Sequence, residues 1–501
     1  MLTTPIYPFL LGLIWIASVC QANISDISSV GEVLIPSLVV VGILSLIYLA
    51  LRYITKDPGK AGLTVFFFFL FTLAHGIVRD TVSAPGIPLA FIWLGFMLIS
   101  FFLVWKLLRR SKVSILTTVL NVVVAISLVV SLVTMVFFTK EPLEASFDPI
   151  ELKIGNPSEP LPDIYYIVPD TYTSFNNLET YWEYDNADFL DFLRTNSFYV
   201  NEGSWGNYHH SILSISSVLN SRYWLDEEMQ GGTLGDYLTR AVEYNEVSRV
   251  LSSLGYSINQ MGSWWDRTSS NYYASREYSF GKLDELSYVL YKSTLWHDVI
   301  EVLTGFGESS LLRETHLEQL EALKGVSLDD ELTFTFCHLL MPHTPYVFTS
   351  EGEPSSYIPP VEEEYRAAYL EQLKFTSKKL QEVVSYILDN SSNPPIIVIA
   401  SDEGYAGPLW DSYWRSHRGL QDLAMEDPDT LKLRQGTILA IYNPYGGNLE
   451  KPTSPVNIFR YVLNSITDSN LEYLEDRYYL KSFTDFQHEY IDITDYLEGV
   501  K

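Results

Sequence analysis

The chain contains little cysteine and few basic residues. Its 501 residues include only Cys20 and Cys337, too few for a disulfide scaffold or a cysteine-based zinc site. Lys and Arg number 33 against 61 Asp and Glu, which gives a formal net charge of −28. A chain this acidic repels a phosphate backbone, so nucleic acid is excluded as the expected partner. The sequence also lacks an evident internal repeat.

The acidic charge is unevenly distributed. Residues 1–140 hold nine basic and four acidic side chains and are rich in apolar residues. Five apolar runs there are each about long enough to cross a bilayer. We place them near 5–22, 33–53, 61–78, 86–106 and 113–138. The first resembles a signal-peptide core, but no base precedes it and Val19 stands before Cys20, which favours a retained helix over a cleaved signal. We therefore predict a transmembrane helical anchor over 1–139.

The loops between these runs predict the orientation. Basic residues concentrate in loop two (52–60) and loop four (106–112), which places both loops in the cytoplasm. With five spans, the acidic remainder then lies outside the cell, as a domain of a multi-pass membrane protein. Outside the cytoplasmic loops, ionisable residues in or beside the spans are His75, Arg79 and Asp80. These favour an anchor over an ion pathway.

The remainder predicts an α/β domain. Five prolines mark a linker over 140–162. After it, β-rich runs at 163–168, 331–340, 395–400 and 437–442 alternate with helical spacing, as at 363–388. This pattern predicts a sandwich over 163–490 with a mostly parallel central sheet covered on both faces. Ligands of such sheets bind beyond the carboxyl ends of the strands.

Candidate site residues follow these strands. Asp170 comes after the first run, and Asp402 and Glu403 come after the third. Either alone fits a solvated loop, but converging carboxylates would repel each other without a cation between them. Ser211 begins an apolar helix, where a serine is commonly a cap but can also bind an anion or act as an alkoxide. His343 lies between two prolines, which favours a site role, whereas the position of His338 within a strand favours a structural one.

These motifs resemble the sulfatase-like branch of the alkaline phosphatase superfamily over about residues 160–480. The order of Asp170, the Ser211 segment, PHTPYVF and SDEG is similar to that of membrane-anchored lipoteichoic acid synthases and phosphoglycerol transferases. The resemblance implies that Asp170, Asp402 and Glu403 hold a metal ion together with a Ser211 nucleophile, and that His343 lies near the leaving group. It further implies phosphate contacts from Trp265 and Arg267, for which a surface loop with buried tryptophans is an equal alternative. His417, about fifteen residues after Asp402 and Glu403, is a further candidate phosphate contact, although most such histidines are only exposed.

The sequence departs from this family pattern at two positions. Glu403 stands where the family has His, which favours Mn or Mg, with Ca or Zn as alternatives, or else marks a degenerate site. Ser211 replaces the usual Thr and lacks the Pro and Arg that follow the modified residue of sulfatases. We therefore expect a phosphotransferase or phosphoesterase that acts on a membrane lipid or an envelope polymer or glycan through a covalent seryl intermediate. A sulfuric ester hydrolase and a non-catalytic envelope protein are the alternatives.

Overall fold

A computed structural model describes most of the chain. The residues it does not describe are 1–3, 23–29, 83–85, 108–109, 139–151, 153, 158–159, 225–233, 264, 282–284, 305–306, 329–330, 356–360, 411–427, 482–489, 498 and 500–501. His417 and most of the predicted linker therefore lie outside the described residues. The chain forms two compact units: Met1–Leu143 with Lys282–Glu308, and Glu144–Gly281 with Ser309–Lys501.

All five apolar runs of the first unit form helices. They are α1 (Tyr7–Ala22), α2 (Val30–Thr55), α3 (Pro58–Val82), α4 (Gly86–Leu107) and α5 (Arg110–Phe138). Within the described residues, three segments are long and apolar enough to cross a membrane: Gly31–Thr55, Pro58–Arg79 and Val113–Thr134. Many large apolar side chains of this unit are exposed, among them Leu46, Ile77 and Leu98. Such a surface is suited to lipid rather than to water, so the first unit anchors the chain in a membrane.

Two further helices belong to the first unit although they lie far along the chain. They are α11 (Glu285–Lys292) and α12 (Leu295–Thr304). Leu286 and Leu290 of α11 pack against Ile16 and Cys20 of α1. The sequence analysis assigned this segment to the domain over 163–490, whereas its apolar side chains pack with the membrane helices. The spacing of residues in the sequence did not reveal that this segment belongs to the first unit.

The second unit is built on a seven-stranded sheet in the order β2-β7-β6-β1-β5-β3-β4. The strands are β1 (Ile164–Pro169), β2 (Tyr199–Asn201), β3 (Ser257–Met261), β4 (Arg276–Glu277), β5 (Thr333–Leu339), β6 (Ile396–Ala400) and β7 (Leu439–Tyr442). The predicted mostly parallel sheet is confirmed, since β4, β3, β5, β1 and β6 run parallel. Strand β7 is antiparallel to both of its neighbours. A small antiparallel pair, β8 (Tyr479–Lys481) and β9 (Tyr490–Asp492), lies apart from this sheet.

Helices cover both faces of the seven-stranded sheet. The helices of the second unit include α6 (Phe175–Trp182), α7 (Ala187–Thr195), α8 (Ser211–Asn220), α9 (Leu234–Glu243), α10 (Glu246–Ser253), α13 (Glu308–Val326), α14 (Glu362–Asn390), α15 (Pro428–Gln435), α16 (Ile458–Ile466) and α17 (Thr494–Leu497). Strand β1 shows the two layers directly. Its Tyr166 and Val168 belong to one buried cluster, while Tyr165 and Ile167 belong to the other. Alternate side chains of a strand point to opposite faces, so both faces of β1 are in apolar cores.

Candidate active site

Two carboxylates meet at the carboxyl edge of the sheet, as the sequence analysis expected. Asp170 follows β1, and its backbone N–H continues the strand pairing by donating to Leu339 O at 2.8 Å. Asp402 follows β6, which runs parallel to β1. Both side chains are buried and, with His338, they form a group whose ligand atoms all lie within 4.8 Å of one another. The pairing of parallel strands therefore brings together carboxylates more than 200 residues apart.

The backbone holds one oxygen of Asp402 and leaves the other without a hydrogen bond. Asp402 Oδ1 accepts from the backbone N–H groups of Thr171, at 3.3 Å, and Glu403, at 2.9 Å. Thr171 has a left-handed φ of +60°, and Tyr369 of α14 holds it by donating to its carbonyl at 2.8 Å. Among the described residues, neither Asp402 Oδ2 nor Asp170 Oδ1 has a hydrogen-bond partner. Buried oxygens left in this state suit a bound cation.

The surroundings of the two carboxyl groups shift their pKa values in opposite directions. Burial, followed by the charge of Asp170, raises the pKa of Asp402 to about 6, against the opposing effects of His338 and Ser211. Burial also acts to raise the pKa of Asp170, but the nearby His343 and His338 outweigh it and the pKa of Asp170 is lowered. Two carboxylates this close cannot both ionise readily unless positive charge lies beside them.

His338 lies in this cluster, where the sequence analysis favoured a structural position. Its Nε2 is 3.5 Å from Asp170 Oδ2 and 3.9 Å from Asp402 Oδ2. Its Nδ1 lies 3.0 Å from Thr268 Oγ1. The preference for a structural position arose because β5 is an apolar strand, but the register pairs His338 with Val168, two residues before Asp170. A lone imidazole near the carboxyl end of an apolar strand was the signal available in the sequence.

Ser211 is the first residue of α8, as expected, and it is not the helix cap. The cap position belongs to His210, which makes no capping bond with its side chain. The neighbour of Ser211 is the buried Asp402 carboxyl group, whose pKa Ser211 acts to lower. Ser211 is half-buried and lines the pocket described below. A hydroxyl at this helix end, beside buried carboxylates, has the surroundings of a nucleophile.

Glu403 was expected beside Asp402 as a metal ligand, and it forms an ion pair instead. Its Oε2 lies 2.5 Å from Arg434 Nη2 on α15, and both side chains are almost fully buried. Arg434 also donates to Gly404 O at 3.1 Å and to His209 O at 2.8 Å. Burial is the largest influence on the carboxyl group and, with the nearby aspartates, it raises the pKa of Glu403 well above its ordinary value despite the guanidinium. Within the described chain, Glu403 is not part of the Asp170–His338–Asp402 group.

The loop after β5 presents His343 to the same pocket. Its Nδ1 contacts the carbonyl of Thr344. Gln372 of α14 holds the loop by donating to His343 O at 2.8 Å and accepting from Val347 N at 2.7 Å. This side-chain amide therefore satisfies backbone groups that a proline-rich loop cannot pair internally, and it keeps His343 half-buried at the pocket.

The pocket has a volume of about 410 Å³. It is lined by Asp170, His209, His210, Ser211, Trp265, Leu312, His316, Leu340, His343, Thr344, Pro345, Glu403, Ala406, Trp410 and Arg434. Trp265, expected as a phosphate contact, is thus a lining residue and packs edge-on against His338. Arg267 is not among the lining residues, and its Nη1 donates to Thr239 Oγ1 of α9 at 3.3 Å. The roles expected for Trp265 and Arg267 stay predictions, as does that of His417.

The sequence analysis missed three pocket residues that come from distant helices. Arg434 and Trp410 contact each other, with the guanidinium carbon 5.4 Å from the ring centre. His316 of α13 is buried. Burial, followed by the charge of His343, lowers the pKa of His316 to about 4. No motif surrounds these residues in the sequence. His316 and Arg434 reach the pocket through the packing of α13 and α15.

Comparison with known proteins gives likenesses to solved structures. No family model matches the chain, and no curated protein matches it. The C-terminal periplasmic domain of EcEptC from Escherichia coli, in complex with Zn, matches at 11% identity and a TM-score of 0.39, covering 68% of this chain and 96% of that one. The putative sulfatase yidJ from Bacteroides fragilis matches at 12% identity and a TM-score of 0.39, covering 64% and 82%.

A third similar structure is the soluble domain of lipooligosaccharide phosphoethanolamine transferase A from Neisseria meningitidis. It matches at 10% identity and a TM-score of 0.36, covering 58% of this chain and 78% of that one. The roles of individual residues therefore follow from the geometry given above.

Proposed function

We propose that this chain is a membrane-anchored, divalent-metal-dependent phosphotransferase or phosphoesterase that acts through a covalent intermediate on Ser211. One observation carries the proposal. Ser211, at the start of α8, lines a pocket together with Asp170 and neighbours the buried Asp402, and among the described residues each of these two carboxylates has an oxygen without a hydrogen-bond partner. A structural cap has no need of such surroundings, whereas an activated nucleophile does.

The donor set fits a divalent cation. Asp170 and Asp402 would hold it, together with the Ser211 hydroxyl, because their free oxygens are buried and cannot reach water. When bound, a divalent cation lowers the pKa of a hydroxyl and neutralises charge on phosphoryl oxygens. The sequence analysis favoured Mn or Mg for this site, with Ca or Zn as alternatives.

The first half of the reaction forms a phosphoseryl linkage. Ser211 Oγ attacks phosphorus in line and passes its proton to the neighbouring Asp402. The bond from phosphorus to the leaving alcohol breaks as the new bond forms, and His343 gives that oxygen a proton. His343 is suited to this step because it lines the pocket on a loop held by Gln372.

The second half restores the serine. A water molecule or an acceptor alcohol attacks the same phosphorus, and His343 takes its proton. The bond to Ser211 Oγ breaks, and the serine recovers its proton from Asp402. Water gives net hydrolysis and an acceptor alcohol gives net transfer.

Positive charge along the pocket wall supports a phosphoryl substrate. The first N–H groups of α8 point toward its N-terminus, where an anion is stabilised. The buried guanidinium of Arg434 lies in the same wall. A sulfate ester carries similar oxygens, but Ser211 lacks the neighbours of a serine that becomes formylglycine. The proposal therefore favours phosphoryl over sulfuryl transfer.

We further propose that the second unit acts outside the cell on a membrane lipid or an envelope polymer. The first unit supports the required topology. Helix α11 contacts the end of α1 nearest loop one, and α12 contacts the end of α3 nearest loop three. The loop charges place both of these loops, and everything after α5, on the outer side. Packing and charge therefore agree on a single orientation.

Substrate comparison tests the reaction class. The purified full chain, in detergent with manganese, should turn over an aryl phosphodiester or phosphomonoester at least about a hundredfold faster than the matching aryl sulfate. Chelation should remove that activity, and added cation should restore it. Preference for the sulfate would establish the alternative ester hydrolase, and absence of turnover on all three esters with no bound cation would contradict the enzymatic proposal.

A further inference from the structure

We propose that His338, rather than Glu403, completes the metal site with a nitrogen ligand. This inference rests on the proposed function, since it assumes that the pocket binds a divalent cation. It assigns the ligand to a different strand from the one that carries Asp402 and Glu403, so the site is assembled across β1, β5 and β6.

The position of the His338 ring carries the inference. Its Nε2 is fully buried and, among the described residues, has no hydrogen-bond partner. It lies 3.5 Å from Asp170 Oδ2 and 3.9 Å from Asp402 Oδ2. Ligand atoms about 2.0–2.2 Å from one ion are separated from each other by roughly these distances. The three side chains therefore surround a common point without bonding one another closely.

The opposite nitrogen of the ring explains why Nε2 is available. Thr268 Oγ1 donates to Trp265 O at 3.4 Å, so it accepts from His338 Nδ1–H at 3.0 Å. A neutral imidazole protonated at Nδ1 has its lone pair at Nε2. Gln319 fixes the backbone by donating to His338 O at 2.8 Å. Metal-ligating histidines are commonly oriented by such a bond on the second nitrogen.

Glu403 is held away from this point by Arg434. Glu403 Oε2 lies 2.5 Å from Arg434 Nη2 in an ion pair, and the guanidinium is itself held by hydrogen bonds to two backbone carbonyls. Recruiting Glu403 to a cation would leave Arg434 buried without its carboxylate, which is costly. His338 Nε2, by contrast, lies beside the two aspartates that would share the cation with it.

A nitrogen ligand changes the expected cation. Two carboxylates, one imidazole and the Ser211 hydroxyl form a mixed nitrogen and oxygen set. Such a set suits Zn or Mn, whereas Mg and Ca prefer oxygen ligands alone. The site should therefore select zinc or manganese over magnesium and calcium, whereas a Glu403 ligand would favour manganese or magnesium.

Pulsed electron paramagnetic resonance of bound manganese tests the ligand directly. The full chain is stripped with a chelator, reloaded with Mn²⁺, and examined for coupling to a directly bound nitrogen, with ¹⁵N-histidine labelling as identification. We expect the coupling in the wild type and in the control variants Glu403→Gln and His343→Asn. His338→Gln should lose the coupling and bind manganese at least about tenfold more weakly.

The outcomes separate this inference from the proposed function. Nitrogen coupling that persists in His338→Gln, or is absent from the labelled wild type, overturns the inference while metal-dependent turnover through Ser211 can still stand. Coupling confined to His338 in a protein whose Ser211→Ala variant stays active supports the ligand and contradicts the nucleophile. A wild type that binds no manganese contradicts both the ligand inference and the proposed function. His338 would then serve only as the counter-ion of the two aspartates. If His338→Gln fails to fold, Thr268→Val should weaken manganese binding and retain the coupling.

Discussion

Arg434 Nη2 lies 2.5 Å from Glu403 Oε2, in a wall of the pocket that also contains Ser211. Both groups are almost fully buried, so neither can exchange its partner for water. The pair thus holds the guanidinium, which also donates to His209 O two residues before α8, and gives Glu403 a partner other than the neighbouring aspartate and histidine.

Breaking this pair should destabilise the second unit. Arg434→Met leaves the Glu403 carboxyl group buried without its partner, and we expect a loss of about 3–5 kcal/mol in the free energy of unfolding. The double variant Arg434→Met with Glu403→Gln should recover part of that loss, because no unpaired charge remains. Denaturant unfolding of the two variants and the wild type measures both values. Equal stability of the single variant and the wild type would show that the pair contributes little.

Ser211→Ala should remove turnover by several orders of magnitude while the protein still folds and binds the cation. The expected change in stability is under about 1 kcal/mol, because Ser211 is not the residue that caps α8. Ser211→Thr should keep partial activity, and mass spectrometry of the wild type with a slow phosphodiester should detect phosphate on Ser211.

The matched control is Ser216→Ala, which removes a hydroxyl of the same helix that bonds only to Leu213 O at 3.2 Å. It should retain activity close to the wild-type rate. Wild-type turnover by Ser211→Ala would assign the attack to water or another group.

Asp402→Ala should abolish turnover and lower the bound metal content. Its unpartnered Oδ2 and its contacts with the turn at Thr171 are both lost. Metal analysis and activity assays after gel filtration measure the two effects. Asp429→Ala, in the first turn of α15, is the acidic control and should change neither. A variant at Asp402 that keeps metal and turnover would exclude the proposed site.

His316 should make the protein less stable in mild acid. Burial lowers the pKa of His316 to about 4, whereas an unfolded histidine titrates near 6.5. Between these pH values the unfolded chain binds one more proton than the folded chain, so the free energy of unfolding falls as pH decreases. The stability that neutral His316 contributes is fully present only above about pH 6.5. His316→Gln should reduce that dependence by about 3 kcal/mol between pH 7 and pH 4. Parallel stability profiles of variant and wild type over this range would contradict the assignment.

The membrane orientation predicts the behaviour of reporter fusions. A reporter that is active only after export should be active when fused after Lys140 and inactive when fused after Lys56 in loop two. The basic residues of loops two and four retain those loops in the cytoplasm. Cytoplasmic activity of the fusion after Lys140 would contradict the five-span topology.

Much of the fold and part of the site followed from local pattern. The helices predicted from the apolar runs (α1–α5) and the strands predicted from the β-rich runs (β1, β5, β6 and β7) are confirmed. Buried elements can be recognised in the sequence because their apolar residues recur at a regular spacing or in continuous runs. Asp170 and Asp402 were expected together because parallel strands end at one edge of a sheet. The antiparallel direction of β7 and the short strands β2, β3 and β4 were not expected, because few residues carry their signal.

The sequence by itself determined the apolar helical segment, the acidic α/β domain and the residues that follow its strands. Only the tertiary structure decided how Glu403 and His338 divide their roles. Adjacent residues such as Asp402 and Glu403 can have different partners, and Arg434 reaches Glu403 only through the packing of α15. His338 lies near Asp170 because β5 pairs with β1. These two strands are more than 160 residues apart in the sequence, so local pattern does not predict their pairing. Local periodicity records which side chains are buried, whereas the order of strands, set by the packing of the whole unit, decides which buried side chains meet.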